Sequence, residues 1–285
     1  MFGIMEELLR QFDSYIDKEL GKSPNTRISY VRDLRLMFSW LSKKGISSIE
    51  EIGLEELQAY IRHLGSKHRS NATISRCVAS IRQFFAFALA SKYVFNDPSV
   101  QLKAPKVIRK APKIAEDSDI ERLLKQPETT SLKGMRDRAM LEMMLSTGMR
   151  VSELIGLRTE DVDLKKRAVR VKGSGGRERT VTYRKDISGI IQDYYLITRP
   201  QLIVDKPDDG TFFVSCQGEK MTRQGFWKIL KGYGKKAQLK EEITPYTLRH
   251  SYAVYALKNG EDIHKVQSAL GHSAIYFTNE YTSLI

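Results

Sequence analysis

Apolar residues recur at three- and four-residue steps along the first hundred residues, which is the spacing of one face of a helix. The stretches that follow this pattern are Thr26–Leu41, Glu50–Leu64 and Asn71–Lys92. They predict a helical N-terminal region whose apolar faces pack against one another. The aromatic cluster Phe84, Phe85 and Phe87 fits core packing better than stacking on nucleic-acid bases, and both interpretations are open at this point.

A basic segment interrupts the helical pattern. Lys103–Lys113 contains two prolines, five basic residues and no acidic residue. Proline disfavours helix and pushes the preceding residue toward extended geometry. The segment is therefore predicted to link a helical domain, residues 1–102, to a second domain, residues 114–285. Helix is predicted to resume at a capping box, Ser118–Glu121.

The second domain has a mixed pattern. Helical periodicity covers Lys133–Ser146, breaks at a glycine and restarts over Arg150–Leu157. Arg167–Lys172 and Arg177–Tyr183 instead alternate polar and apolar residues, as half-buried strands do, and the turn residues Gly173–Gly176 lie between them. This pattern predicts a β-hairpin with a basic tip. The glycines are not a P-loop, because no Gly-Lys-Ser/Thr follows them.

Further helices are predicted after Pro200, over Thr222–Lys231, Tyr246–Lys258, Asp262–Leu270 and a short segment ending at Ile285. The predicted fold class is therefore mainly α, with a small β-hairpin in an α+β second domain.

Charge narrows the class of partner. The chain has 47 Lys and Arg residues against 34 Asp and Glu residues, a net charge of +13, and a pI near 9.6. A strongly basic protein binds polyanions, and nucleic acid is the commonest of these. Charge alone is weak support, because many proteins are basic for solubility.

Other features exclude several classes of protein. No apolar run reaches the roughly 20 residues of a membrane helix, and the N-terminus lacks the pattern of a secretory signal. Cys77 and Cys216 form neither a disulfide framework nor a zinc motif, so the expected compartment is the cytosol. His250, His264 and His272 could form a metal site, but no acidic ligand is placed to complete it.

Several residues could act on a phosphate. Arg150 opens a helix after a glycine, where free backbone N–H groups favour an anion, and Glu153 is within reach to orient it. Arg249 lies in the first turns of another helix, His272 follows a helix-ending glycine, and Tyr281 comes nine residues later. Taken singly, each also fits a structural role as an ion-pair partner, a helix cap or a core aromatic.

In combination, these residues resemble the signature blocks of the tyrosine recombinases, specifically the Xer-type site-specific recombinases. The blocks are Ser146-Thr-Gly-Met-Arg-Val-Ser-Glu-Leu154, the basic hairpin, Thr244-Pro-Tyr-Thr-Leu-Arg-His-Ser-Tyr252, Leu270-Gly-His-Ser273 and the motif of Tyr281. Their order and spacing match the family, and several blocks together are far more specific than one. The resemblance covers the whole chain. It implies a helical core-binding domain, a basic linker and a catalytic domain that form a clamp around DNA.

The resemblance also implies a reaction. Tyr281 would attack a DNA phosphodiester, forming a 3′-phosphotyrosyl bond and releasing a 5′-hydroxyl. Arg150 and Arg249 would bind the non-bridging oxygens, and His272 would donate a hydrogen bond to the phosphate or assist deprotonation of the tyrosine. The 5′-hydroxyl of a partner strand would then reverse the step. Because one phosphoester replaces another, neither ATP nor a metal ion or other cofactor is expected.

Two positions depart from the family. Ser174 stands where the family has its catalytic lysine, so the leaving 5′-oxygen lacks its usual general acid. Lys172 on the same hairpin is the nearest substitute, or else a strand-edge lysine that touches the DNA backbone. Tyr246 replaces the histidine that usually stands three residues before Arg249, and a phenol is a poor base near neutral pH. Only four residues follow Tyr281, so either no C-terminal element is exchanged between subunits or Tyr281 itself lies on it.

The predicted function is site-specific recombination of double-stranded DNA by a homotetramer on two paired sites, with Xer-like chromosome dimer resolution as the favoured role. A phage or mobile-element integrase is the nearest alternative. A DNA-binding protein with a degenerate active site is the alternative from another class. An accessory protein or a second recombinase could also take part. The expected location is the cytoplasm, on the nucleoid, without membrane association.

Overall fold

The chain divides into two compact units, Met1–Arg109 and Lys110–Ile285. The structure, a computed structural model, describes residues 2–108, 111–173 and 176–285. In these ranges the chain is mainly helical with a small antiparallel sheet, which confirms the predicted fold class. No helix among the described residues is long and apolar enough to cross a membrane.

The N-terminal unit is helical, as predicted. Its helices are α1 (Phe2–Lys18), α2 (Pro24–Ser42), α3 (Leu54–Ser66) and α4 (Asn71–Ala90). Helix α1 was not predicted, and α3 begins four residues after the predicted start at Glu50. Gly53 is extended and its N–H donates to the Glu56 carboxylate at 2.9 Å, and this cap begins the helix at Leu54.

Aromatic rings fill the core of the N-terminal unit. Phe84 is completely buried, and its ring lies edge-on to Phe12, Phe38 and Phe85 with centroids 5.3–5.5 Å apart. Phe87 is also buried. The prediction of core packing for the Phe84–Phe87 cluster is therefore confirmed.

The first part of the predicted linker lies along α4. Ser75 donates its hydroxyl to the carbonyl of Pro105 at 2.9 Å, and the side chain of Asn71 donates to the carbonyl of Lys106 at 3.1 Å. Residues 103–108 form no helix or strand. Arg109 and Lys110, which the linker prediction also included, lie outside the described residues.

The C-terminal unit combines short and long helices with three strands. Its elements are α5 (Asp117–Leu124), α6 (Leu132–Thr147), α7 (Val151–Leu154), β1 (Val162–Asp163), β2 (Ala168–Lys172), β3 (Glu178–Thr182), α8 (Ser188–Asp193), α9 (Arg199–Leu202), α10 (Arg223–Lys236), α11 (Pro245–Lys258), α12 (Ile263–Leu270) and α13 (Tyr276–Asn279). The core surrounds α6, in which every residue from Ala139 to Thr147 is buried.

The strands form an antiparallel sheet in the order β1-β2-β3. Val169 pairs with Val181, and Lys172 pairs with Glu178 next to the turn. Val169, Val171 and Val181 are buried, as the alternating pattern requires. The predicted hairpin is therefore confirmed. Ser174 and Gly175 of its turn lie outside the described residues.

Two predictions for the C-terminal unit need correction. The capping box at Ser118 is wrong, because α5 already begins at Asp117 after an extended Glu116, and no side chain caps it. Helix also starts well before Pro200, since α8 runs through a π-helical segment, Tyr194–Thr198, into α9. Pro200 is the second residue of α9 and directly follows the π-helical segment.

Candidate active site

The end of α6 directs Arg150 toward the site. Gly148 adopts a left-handed conformation with φ 61°, and its N–H donates to the carbonyl of Met144. A β-carbon at Gly148 would lie 2.2 Å from the Tyr252 ring, so glycine is required both by the backbone and by the close approach. The chain then turns at once into α7, with Arg150 as its N-cap residue.

The Glu153 carboxylate joins two arginines. It accepts from the backbone N–H of Arg150 at 2.7 Å, from the Arg150 guanidinium at 3.0 Å, and from both terminal nitrogens of Arg179 at 2.8 Å. Burial would raise the pKa of Glu153, but the bonds from Arg179 and Arg150 outweigh it and lower the pKa. The carboxylate is therefore ionised at neutral pH and fixes both guanidinium groups.

Arg249 is anchored on main-chain oxygens. Its terminal nitrogens donate to the carbonyls of Gly148 and Leu270, each at 2.5 Å, and only 4% of the residue is exposed. Burial, with the nearby positive charge of Arg150, lowers the pKa of Arg249 to about 10, so the guanidinium remains charged at neutral pH. Arg249 thus places a partly desolvated cation behind the site.

His272 lies at the corner that follows α12. Gly271 ends this helix in the left-handed region with φ 63°, and His272 is the next residue. Its Nδ1 is hydrogen-bonded to the Thr278 hydroxyl at 3.0 Å. Burial and the charges of Arg249 and Arg150 lower the pKa of His272 to about 4. The imidazole is therefore neutral at physiological pH and keeps one N–H to donate.

Tyr281 is buried beside two histidines. Only 2% of its surface is exposed, and its hydroxyl is 2.7 Å from Nδ1 of His250, with which it is hydrogen-bonded. The His272 ring is roughly parallel to the Tyr281 ring, with centroids 6.3 Å apart. Burial raises the pKa of Tyr281, although the charge of Arg249 opposes this. The phenol is therefore protonated at neutral pH.

These side chains surround one open cavity of about 630 Å³. It is lined by Arg150, Gly173, Arg177, Glu178, Arg179, His250, Ser268, Gly271, His272, Ser273, Phe277, Glu280 and Tyr281. The structure thus brings together Arg150, His272 and Tyr281 from the predicted set. Glu153 bonds to Arg150 and Arg179 of the wall, and Arg249 bonds to the carbonyl of Leu270, the residue before Gly271 of the wall.

Like Glu153 and Arg249, the two remaining predicted residues, Lys172 and Tyr246, do not line the cavity. Lys172 lies at the end of β2, where its ammonium is 3.3 Å from Asp161 and 3.8 Å from Glu160. Its neighbour Gly173 does line the cavity. Tyr246 is 69% exposed and its ring lies roughly parallel to that of His250, with centroids 6.4 Å apart.

Arg179 and His250 also line the cavity, but Arg179 was not predicted as a site residue and His250 was predicted only as a candidate metal ligand. Arg179 shares the inward face of β3 with Val181, and a charged residue on an inward face needs a buried partner. That alternation was a usable signal. His250 gave no comparable signal, because its contact with Tyr281 spans 31 residues. Among the described residues, no group of three His, Cys, Asp or Glu side chains could hold a metal ion.

Comparison with known proteins places this geometry in a family. The model of the phage integrase family matches residues 113–284, and that of the phage integrase N-terminal SAM-like domain matches residues 9–92. Tyrosine recombinase XerD of Staphylococcus epidermidis is 39% identical over 278 residues, which is 98% of this chain and 94% of that protein. The chain belongs to the phage integrase family.

Within the phage integrase family the chain is a Xer-type tyrosine recombinase, an enzyme of site-specific DNA recombination. Tyrosine recombinase XerD of Staphylococcus aureus is 38% identical over the same share of both chains. Among solved structures, the XerH recombinase bound to a palindromic difH substrate has a TM-score of 0.75 at 22% identity, covering 97% of this chain and 81% of that one. A lambda integrase dimer bound to a COC′ core site has a TM-score of 0.73 at 16% identity, covering 97% and 94%. These two structures share the fold.

Proposed function

We propose that this recombinase cuts double-stranded DNA through attack by Tyr281 and rejoins it through a 3′-phosphotyrosyl intermediate. The observation that carries the proposal is that Tyr281 lines the same cavity as Arg150, Arg179 and His272. A nucleophilic oxygen beside several cationic and N–H donors is what an anionic phosphodiester requires. Because only 2% of Tyr281 is exposed, DNA binding has to turn the phenol further into the cavity.

The arginines would stabilise the phosphate as negative charge grows on it. Arg150 is the more accessible, with 39% of its side chain exposed, and its guanidinium keeps donors beyond the bond to Glu153. Arg249 is buried and its charge acts at short range in a poorly hydrated environment. Glu153 would hold Arg150 in the orientation needed for two-point contact with the non-bridging oxygens.

His272, Lys172 and Tyr246 would complete the site. His272 is neutral at physiological pH and would donate one N–H to the phosphate. Lys172 would protonate the leaving 5′-oxygen. Because the Lys172 ammonium is paired with the Asp161 carboxylate, DNA binding must first separate these two groups. Tyr246 is exposed and would hydrogen-bond the phosphate backbone through its hydroxyl.

The reaction also indicates how many subunits act together. Each subunit supplies one Tyr281, and exchange between two duplexes requires four strand cleavages, so we propose a homotetramer on two paired sites. Similarity to XerD proteins over 98% of the chain favours chromosome dimer resolution over mobile-element integration. Such a role would place the protein in the cytoplasm, on the nucleoid. A partner recombinase or an accessory protein would be found by purification of the complex on its own site.

A nicked suicide substrate tests this function. Sequencing of the DNA that the protein retains from genomic fragments supplies the site, and a nick beside the scissile phosphate traps the cleaved strand. The wild-type protein should form a covalent adduct that migrates slowly on denaturing gels, and Tyr281→Phe should form none. Tyr276→Phe, an exposed tyrosine on α13, is the matched control and should form the adduct normally. Absence of any adduct with wild-type protein on its bound site would refute the proposal.

The same substrate tests Lys172. If Lys172 protonates the leaving oxygen, Lys172→Ala should slow adduct formation by about 100-fold or more, the usual range for general acid catalysis. A substrate with a 5′-bridging sulfur, whose leaving group needs no proton, should restore the rate. Undiminished cleavage of the ordinary substrate by Lys172→Ala would remove the residue from the mechanism.

A further inference from the structure

The hydroxyl of Tyr281 has a specific partner in the cavity, His250. Their separation, 2.7 Å between Nδ1 and the phenol oxygen, is the distance of a strong hydrogen bond. His250 lies in the second turn of α11 and lines the cavity together with Tyr281. His272 is placed differently, since its ring lies alongside the Tyr281 ring and its Nδ1 bonds to Thr278. Of the two histidines, His250 is the one in contact with the reacting oxygen.

We propose that His250 is a catalytic residue of the cleavage step, the proton acceptor for Tyr281. The assignment rests on the proposed role of Tyr281 as the nucleophile. The Nε2–H tautomer of His250 leaves the Nδ1 lone pair free to accept the phenolic proton. The residue thus supplies the base that Tyr246, whose exposed phenol replaces the usual histidine, cannot supply near neutral pH.

The proton balance of the step is closed. As the bond between the Tyr281 oxygen and phosphorus forms, the phenolic proton passes to Nδ1 of His250. The bond between phosphorus and the 5′-oxygen breaks, and the 5′-oxygen takes a proton from Lys172, the proposed general acid. When the 5′-hydroxyl of a partner strand attacks the phosphotyrosine, Lys172 takes its proton back and the His250 imidazolium returns one to Tyr281. No net proton is consumed over the two steps.

The surroundings of His250 suit a base. Burial, together with the charge of the adjacent Arg249, lowers the pKa of His250 below its usual 6.5, so the imidazole is neutral and able to accept at pH 7. Tyr246 on its own helix and Tyr281 contact its ring, and His272 lies close enough to interact electrostatically. The DNA phosphate adds a negative charge to this environment and would stabilise the imidazolium as it forms.

The test uses His250→Asn in the full-length protein on the nicked suicide substrate. The asparagine side-chain oxygen can still accept a hydrogen bond near the position of Nδ1, but it cannot take up a proton. Adduct formation should be about 100-fold slower or more near pH 7.5, and the rate should rise about tenfold per pH unit as hydroxide replaces the base. Free imidazole should partly restore the rate of His250→Gly. His264→Asn, an exposed histidine on α12, should behave as wild type.

The outcomes separate three cases. If wild-type protein forms no adduct, the proposed function itself fails. If wild type reacts and His250→Asn reacts within about threefold of it with the same pH profile, His250 is not the base. If His250→Asn is slow but keeps the wild-type pH profile and is not rescued by imidazole in the glycine variant, His250 only positions the phenol, and the proton-transfer role is overturned. Equal retention of the site DNA by all variants shows that folding and binding are intact.

Discussion

Replacement of Glu153 by glutamine should uncouple the two arginines that converge on it. The carboxylate accepts four hydrogen bonds from Arg150 and Arg179, and only 4% of its side chain is exposed. Glu153→Gln keeps the size of the side chain but removes the charge and presents an amide N–H₂ to one of the guanidinium groups. The positive charge of Arg179, which is largely buried, and that of the more exposed Arg150 are then left without their counter-ion.

The cost can be estimated from exposure. Loss of one partner of a buried ion pair costs about 3–5 kcal/mol. Arg150 has 39% of its side chain exposed and can be rehydrated, whereas Arg179 has 12%, so most of the cost comes from Arg179. We therefore expect Glu153→Gln to lower the free energy of unfolding of the C-terminal unit by about 3 kcal/mol, the low end of this range. For a unit of this size that corresponds to a fall in Tm of about 6–12 °C.

Urea unfolding measures the effect in the C-terminal unit alone when Trp40 is replaced by phenylalanine. The chain has two tryptophans, one in each unit, so fluorescence then comes from Trp227 on α10. Glu153→Gln should lower the urea midpoint, and Glu219→Gln, an exposed carboxylate paired with Lys206, should not.

A double-mutant cycle checks the cause. Arg179→Met combined with Glu153→Gln should be clearly less destabilising than the sum of the single changes, because the double variant leaves fewer uncompensated charges. Additive effects, or a loss below about 1 kcal/mol for Glu153→Gln, would show that this network does not hold the site together.

Three further changes have predictable outcomes. Because the pKa of Glu153 is lowered in the folded state, its stabilisation is present above its unfolded value near 4.5 and is lost as pH falls through the folded value. The difference in urea midpoint between wild type and Glu153→Gln should therefore shrink below about pH 4.5, and a constant difference would contradict this. Gly148→Ala should lose at least about 1–2 kcal/mol from left-handed strain, with more from contact with Tyr252, and calorimetry showing an unchanged Tm would contradict it. Asp33→Asn removes the buried partner of the half-exposed Arg76 and should cost the N-terminal unit about 2 kcal/mol in urea unfolding, whereas equal midpoints would exclude a stabilising pair.

Sequence periodicity predicted those helices and strands that have one face buried in the core and the other face exposed. Asn71–Lys92 and the alternating segments around the hairpin have one face in the core, so the periods of helix and strand are visible in them. Local capping competed with this signal at Gly53, where the Glu56 carboxylate sets the start of the helix. The segment Tyr194–Thr198, in which Tyr194 and Thr198 are buried, was missed because tertiary packing determines it. The Tyr194 hydroxyl donates to the carbonyl of Phe212 and accepts from the N–H of Val214.

The site was predictable to the extent that its contacts are local. Glu153 is three residues from Arg150, and the expected orientation of the guanidinium is present as a 3.0 Å bond. Arg179 is 26 residues from Glu153, and periodicity over such a distance does not specify a partner. His250 and Tyr281 are 31 residues apart, and periodicity does not specify their contact either. Lys172 was chosen for proximity along the chain, and its nearest charged neighbour turned out to be Asp161.

Because the arginines bond to main-chain oxygens, a substitution at the residue that supplies the oxygen can leave the hydrogen bond in place. Guanidinium nitrogens of Arg249, Arg179 and Arg150 donate to carbonyls at the ends of α6 and α12, namely those of Gly148, Leu270, Ala269 and Gly271. A substitution at Ala269 changes the side chain but keeps the carbonyl oxygen that accepts from Arg179. Such acceptors can be lost only when the path of the chain changes, and at both helix ends that path depends on a left-handed glycine. The tolerance of this pocket to mutation is therefore expected to be broader at Ala269, which contributes only its carbonyl oxygen to the arginines, and narrow at Gly148 and Gly271, whose left-handed conformations set the path of the chain.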